Sequence, residues 1–255
     1  MEYETPDGSR FYLQEIFGDE ASGHAFKYTS ITAFVDGKPY AARSEQALDD
    51  VDYVDLLDMI QPVPLENINP RCPVGFLRAT SLSSEEHYLK APFFMYEDSK
   101  PGRTFIADCL LNEATALEKL RHHPHPNLVE YLGCVVKEDR ITQLCLKRYE
   151  GNLQDHTLPL SEKQREDIFA GVISAVKHLH RLGLAHNDIG PQNICLDSDG
   201  HPVIVDFDAC KPFGEELLKG MGAEKWEGRL VSDPENDFQG LDDLKDWLDD
   251  YDAER

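Results

Sequence analysis

Basic residues are scarce in this sequence, and no long apolar run occurs. Lysine and arginine number 25 against 48 aspartates and glutamates, a formal net charge of −23 over 255 residues. Such a field repels phosphate backbones and anionic headgroups at long range, which argues against nucleic acid and membrane surfaces as partners. It would steer a basic macromolecule inward, but solubility alone accounts for a charge of this kind. No stretch approaches the ~20 apolar residues of a bilayer-spanning helix. The amino terminus, MEYETPDGSR, has neither the basic start nor the apolar core of a signal peptide. These absences predict a soluble intracellular chain, cytoplasmic or nuclear. The six cysteines (Cys72, Cys109, Cys134, Cys145, Cys195 and Cys210) form no CxxC pair and read as reduced, packed thiols. Nor do the histidines reach a metal-site spacing: His178 and His180 are two apart on a predicted helix, and Pro124 interrupts His122, His123 and His125.

Apolar residues make up 41% and charged residues 29%, a composition that folds. Residues 10–16 and 26–42 alternate apolar with polar, and Asp36-Gly37 is a hairpin turn signal inside the second run. Residues 43–74 carry acids and then Pro62, Pro64, Pro70 and Pro73, which predicts a helix-bearing connector and an irregular link. A short strand follows around Tyr88-Leu89-Lys90. After it Ile106, Leu110, Ala114, Leu117 and Leu120 recur at helical spacing, with Glu113 on or beside that apolar stripe. A carboxylate so placed needs a cation. Strands over 129–137 and 141–149 meet at Glu138-Asp139-Arg140. A long helix then opens at Ser161, with Gln164 completing a capping box, and closes at Gly183.

Immediately beyond this helix stand His186-Asn187-Asp188-Ile189-Gly190-Pro191-Gln192-Asn193 and, past a hairpin turned by Asp199-Gly200, Val205-Asp206-Phe207-Asp208. One loop presents a carboxylate and an amide, and a second brings another carboxylate. That is the equipment for directing a hydroxyl at a metal-bound phosphate.

With His125-Pro126-Asn127-Leu128-Val129 and Ala175-Val176-Lys177-His178-Leu179-His180, these segments resemble the eukaryotic protein kinases over roughly residues 84–250. HND with DFD, Lys147-Arg148-Tyr149 and a short carboxyl end are similar to fungal kinase-like proteins. The resemblance implies an α+β, two-lobed fold: a β-rich extension and connector over 1–74, an N-lobe and hinge over 75–150, and a mainly helical, shortened C-lobe over 151–255. It implies ATP and Mg²⁺ as cofactors, with Lys90 contacting ATP, Glu113 its helix partner, Asp188 the catalytic base, and Asn193 and Asp206 the metal ligands. His186 matches the motif's structural histidine, and Asp237 the acid that braces the catalytic loop.

Several residues depart from that pattern. No GxGxxG precedes Lys90, Gly190 replaces a phosphate-contacting lysine, and Asp208 replaces the DFG glycine, which removes a permissive backbone position. Asn187 replaces the arginine that receives an activation-loop phosphate, and between Phe207 and Asn236 the sole hydroxyl residue is Ser232. The reading is therefore a protein Ser/Thr kinase without a phosphorylation switch, in which Ser232→Ala is neutral. The alternatives are a pseudokinase scaffold, favoured by the missing glycine loop, and a small-molecule kinase, since HND and DFD also resemble choline and aminoglycoside kinases. Substrate identity and oligomeric state stay open.

Overall fold

The computed structural model describes residues 1–4, 10–18, 23–51, 56–80, 82–83, 85–218 and 231–251. The chain divides into two compact units. One comprises Met1–Cys72, Ala91–Asp108 and Lys137–Thr142; the other comprises Pro73–Lys90, Cys109–Val136 and Gln143–Arg255.

The first unit is built on an antiparallel sheet, in the order of the chain, of β1 (Glu2–Glu4), β2 (Arg10–Phe17), β3 (Phe26–Val35), β4 (Lys38–Ser44) and β5 (Gln61–Pro62). The β3–β4 hairpin turns at Asp36 (φ 52°) and Gly37 (φ 77°), a pair of left-handed residues whose twist suits a two-residue hairpin. Because neighbouring residues point to opposite faces, Ala42 joins Phe11, Leu13, Ile31 and Ala33 on one core, while Ala41 packs with Val63, Ile68 and Phe94 on another. The predicted connector holds two single-turn helices, α1 (Leu56–Met59) and α2 (Leu65–Ile68). Its link is more regular than its prolines suggest: β5 pairs Tyr40 with Pro62, and an edge strand tolerates a residue that cannot donate. Segment 91–104 is fastened to this sheet and to α2 by polar bonds. Tyr96 N–H donates to Ser30 Oγ (2.9 Å), and Asn67 Nδ2 donates to the carbonyls of Asp98 and Lys100 (both 2.7 Å).

The second unit holds β6 (His87–Lys90), most of α3 (Phe105–Leu120), and much of β7 (Tyr131–Lys137) and β8 (Arg140–Lys147), in a three-stranded sheet of order β6-β8-β7. It continues through α4 (Glu162–Arg181), β9 (Leu184–Ala185), β10 (Ile194–Leu196), β11 (Pro202–Ile204), β12 (Lys211–Pro212) and α5 (Pro234–Asp250). α4 begins where its capping box predicts: Gln164 N–H donates to Ser161 Oγ (3.3 Å) and Ser161 N–H to Gln164 Oε1 (2.9 Å). Its buried stripe is Ile168, Val172, Ala175, Val176 and Leu179. α5 is capped by Asp233, has Pro234 in its first turn, and buries Leu241, Leu244 and Leu248. The fold is thus α+β, as expected. All six cysteines are free thiols, and no described helix is long and apolar enough to cross a membrane.

Candidate active site

β6 delivers Lys90 and α3 delivers Glu113, each from a rigid element. Glu113 sits between Leu110, Ala114 and Leu117 on the buried stripe and is only 2% exposed. Its charge is met by Lys90, whose Nζ lies 2.8 Å from Oε1 and 2.7 Å from Oε2. The same ammonium reaches Asp206 Oδ1 at 2.7 Å, and Phe207 N–H donates to Glu113 Oε1 at 3.2 Å. Burial alone would discharge Lys90, but the Glu113, Asp206 and Asp208 carboxylates outweigh it and raise its pKa. Burial likewise opposes ionisation of Asp206, yet the Lys90 charge and hydrogen bond hold its carboxyl below the ordinary range. At Asp208 burial first, then the neighbouring Asp206 charge, outweigh the pull of Lys90 and push the carboxyl up to about 7. The left-handed residue of this loop is Asp206 (φ 63°), so Asp208 occupies no position that requires glycine, contrary to the sequence expectation.

The second group sits on the loop after β9. Asn193 Nδ2 donates to the Asp188 backbone oxygen (2.9 Å) and to Asp188 Oδ2 (2.8 Å), which fixes the carboxylate and leaves the amide's Oδ1 as the oxygen it can offer a ligand. His186 is fully buried. Its Nε2 donates to Val205 O (3.1 Å) while Nδ1 accepts from Asp188 N–H (3.3 Å), the pattern of a neutral imidazole tying the two loops together. Asp237, fully buried on α5, accepts the N–H groups of His186 (3.0 Å) and Asn187 (2.7 Å) and the Nε2 of His180 (2.8 Å). Gly240, one turn further along α5, lets that helix touch the loop: a Cβ there would lie 2.7 Å from Ile189 O and 2.8 Å from Ile189 Cβ.

The sequence-predicted residues therefore form two sets, Lys90 with Glu113 and Asp206, and Asp188 with Asn193, and the charge of Asp208 is felt by Asp206 and by Lys90. Their carboxylate and amide oxygens are hard donors that fit Mg²⁺, and the Lys90 cation fits a polyphosphate. In the segment before β6 three amides are engaged within the protein and closed to a phosphate: Phe76 N–H donates to Pro73 O (3.4 Å), Leu77 N–H to Glu118 Oε1 (2.6 Å) and Ala79 N–H to Cys134 O (2.9 Å). Elsewhere Asp197, Asp199 and His201 bring ligand atoms within 4.8 Å of one another, but Asp197 Oδ1 accepts the N–H groups of Asp199 and His201, which is the closure of a tight turn.

The roles of two residues escape the sequence reading. Asn112 donates from Nδ2 to Asp208 O (2.7 Å) and Cys210 O (3.0 Å), anchoring the loop beyond Asp206 to α3. Its signal was a short polar side chain inside a helix, where it is unfavourable without a partner. His180 follows Val176 by four residues, which put a polar ring beside the apolar stripe of α4.

A family model described as the protein kinase domain matches residues 95–226, just over half of the chain, and begins downstream of Lys90. The chain is similar to the serine/threonine-protein kinase Tao of Drosophila melanogaster (35% identity over 91 residues, 34% of this chain and 9% of that protein). It is also similar to the serine/threonine-protein kinase D of Synechocystis sp. (32% over 129 residues, 49% and 25%). A third relative is the serine/threonine-protein kinase AtPK1/AtPK6 of Arabidopsis thaliana (46% over 81 residues, 24% and 17%). Each alignment spans a quarter or less of the relative's length. The chain belongs to the protein kinase domain family.

Proposed function

We propose that the chain is an ATP- and Mg²⁺-dependent phosphotransferase that moves the γ-phosphoryl group to a Ser/Thr hydroxyl of a protein. The observation that carries this reading is the convergence of Glu113 and Asp206 on Lys90 Nζ, at 2.7–2.8 Å. It joins a helix, a strand and a loop distant in sequence around one cation, beside a carboxylate tethered for another task. Lys90, held by Glu113, is the group that grips the phosphates. Asp206 and Asn193 would hold Mg²⁺, which when bound neutralises charge developing on the phosphates. Asp188 takes the proton of the attacking hydroxyl, and its hydrogen bond from Asn193 Nδ2 keeps it aimed. His186 and Asp237 keep that loop in register from behind.

One observation favours a second reading, a scaffold with weak nucleotide affinity: the amides of residues 76, 77 and 79 are engaged within the protein. Both readings meet the same experiment. Melting temperature is followed against ATP with Mg²⁺ and with EDTA, while transfer from labelled ATP is measured to casein, to the chain itself and to small alcohols such as choline. Mg²⁺-dependent stabilisation with label on protein serine or threonine is the expected result. Stabilisation without transfer establishes the scaffold, and label on choline alone establishes a small-molecule kinase.

A further inference from the structure

Asn187 stands in the catalytic loop at φ 66° and is 1% exposed. Every polar atom of its side chain is used. The two hydrogens of Nδ2 are shared among Ala185 O (3.1 Å), Ala209 O (2.9 Å) and Ser232 Oγ (3.0 Å), and Oδ1 accepts from Asn236 Nδ2 (2.9 Å). Ser232 is itself fully buried, and its hydroxyl proton goes to Lys211 O (2.9 Å), so its lone pair is the part that faces Asn187. The serine backbone is closed as well, with Gly214 N–H on its oxygen and its own N–H on Glu215 O (both 2.8 Å). Asn236 completes the ring by a second bond from Nδ2 to Val231 O (3.0 Å). One amide thus touches β9, the stretch after the Asp206–Asp208 loop, and the start of α5.

We propose that Asn187 is a positioning residue that clasps residues 209–211 and 231–236 to the catalytic loop through uncharged hydrogen bonds, so that Asp188 is aligned without any phosphate. The inference rests on the reading of Asp188 as the base. Where an arginine would wait for a phosphorylated hydroxyl to neutralise it, this chain places a neutral amide already satisfied, and the one hydroxyl within reach is consumed in the clasp. Ser232 is therefore a structural residue, not a modification site, and Ser232→Ala is not the neutral change the sequence suggests.

Amide hydrogen exchange over residues 209–215 and 231–236, read together with steady-state kinetics, tests the clasp. Ser232→Ala loses one hydrogen-bond pair and stays folded; exchange in both stretches should quicken roughly five- to tenfold. Its kcat should fall by about the same factor through misplacement of Asp188, with KM for ATP within about twofold. Asn187→Ala should act in the same direction and further, and Asn187→Ala/Ser232→Ala should fall short of the sum of the two single effects, because the bond between the two side chains is lost in both while the serine's bond to Lys211 O is its own. Wild type treated with phosphatase should keep both its protection and its kcat. Unchanged exchange in Ser232→Ala, or a segment that opens once phosphatase has acted, overturns the clasp. Exchange needs no turnover, so a wild type without any phosphoryl transfer refutes the role of Asp188 while the clasp is still judged.

Discussion

Replacing Gly240 by alanine separates what the catalytic loop needs for stability from what it needs for chemistry. The new Cβ would meet Ile189 O at 2.7 Å, about 0.7 Å inside ordinary van der Waals contact, and that oxygen belongs to backbone that cannot swing away like a side-chain tip. Overpacking of this kind costs about 1–3 kcal/mol. Alanine at an interior helix position returns about 1 kcal/mol through helix propensity. The net loss should be about 0–2 kcal/mol, a small shift in a urea unfolding midpoint. The catalytic consequence is larger, because Ile189 adjoins Asp188 and must move by most of an ångström; a 1 Å displacement typically lowers rate about 10²-fold. Single-turnover transfer by Gly240→Ala should fall about 10- to 100-fold while Mg²⁺·ATP still raises the melting temperature. A folded variant that keeps wild-type turnover would refute the idea that α5 sets the height of the loop.

Asp188→Asn should lower turnover by ~10²–10⁴-fold and leave Mg²⁺·ATP stabilisation intact, whereas Asp206→Asn should lose both, as thermal shift and transfer assays in parallel will show. Gly190 has an extended backbone open to any residue, and the nearest atoms to its would-be Cβ belong to the movable end of Gln192 (2.6–2.7 Å). Gly190→Lys should therefore fold and raise kcat, by about tenfold, by adding a cation near the transferring group; an unchanged kcat argues against that placement. The Tyr28 phenol is pushed up to about 12, by burial first and then by its hydrogen bond to Glu97 and that residue's charge. Because the folded value is raised, its stabilising contribution is complete below pH 10 and lost as pH rises through about 12. Tyr28→Phe should remove this late-ionising phenol from an ultraviolet titration and flatten the alkaline loss of stability.

The chemistry-bearing loops were legible because short spacings encode them: Asp188 and Asn193 lie five apart on one loop, and the hairpin to Asp206 is announced by Asp199-Gly200. Glu113 was legible from period alone, since a carboxylate on a buried stripe demands a cation, and Lys90 Nζ meets it. What periodicity cannot carry is which loop atoms meet across the chain. The bonds from Asn112 to Asp208 O and from Asn187 to Ser232 Oγ join residues 96 and 45 positions apart through single polar atoms, and no local pattern records them. Prolines misled the reading of 43–74, because Pro62 was counted as a breaker when its place at a sheet edge makes a missing donor harmless. At Asp208 the loss of a glycine carries no torsional cost, since the left-handed residue of the loop is Asp206.

The first unit is interlaced from three stretches of chain, and this bears on how it is made. Asn69 Nδ2 donates to Ile141 O, Arg140 Nη1 to Asn69 O, and Ile141 N–H to Pro70 O, so bonds that close this unit join residues some 71–72 positions apart. At ribosomal rates of ~5–20 residues per second, the amino-terminal sheet waits roughly 4–16 s after its own last strand before these partners have been synthesised. During that interval Phe94 and Ile106, which complete one of its cores, are also still being added. The unit therefore cannot finish folding as an independent amino-terminal module. It closes only after Lys90 and Glu113 have both been synthesised, while the loops bearing Asp188 and Asp206 and helix α5 are still to come, so its parts are all present well before those of the catalytic half.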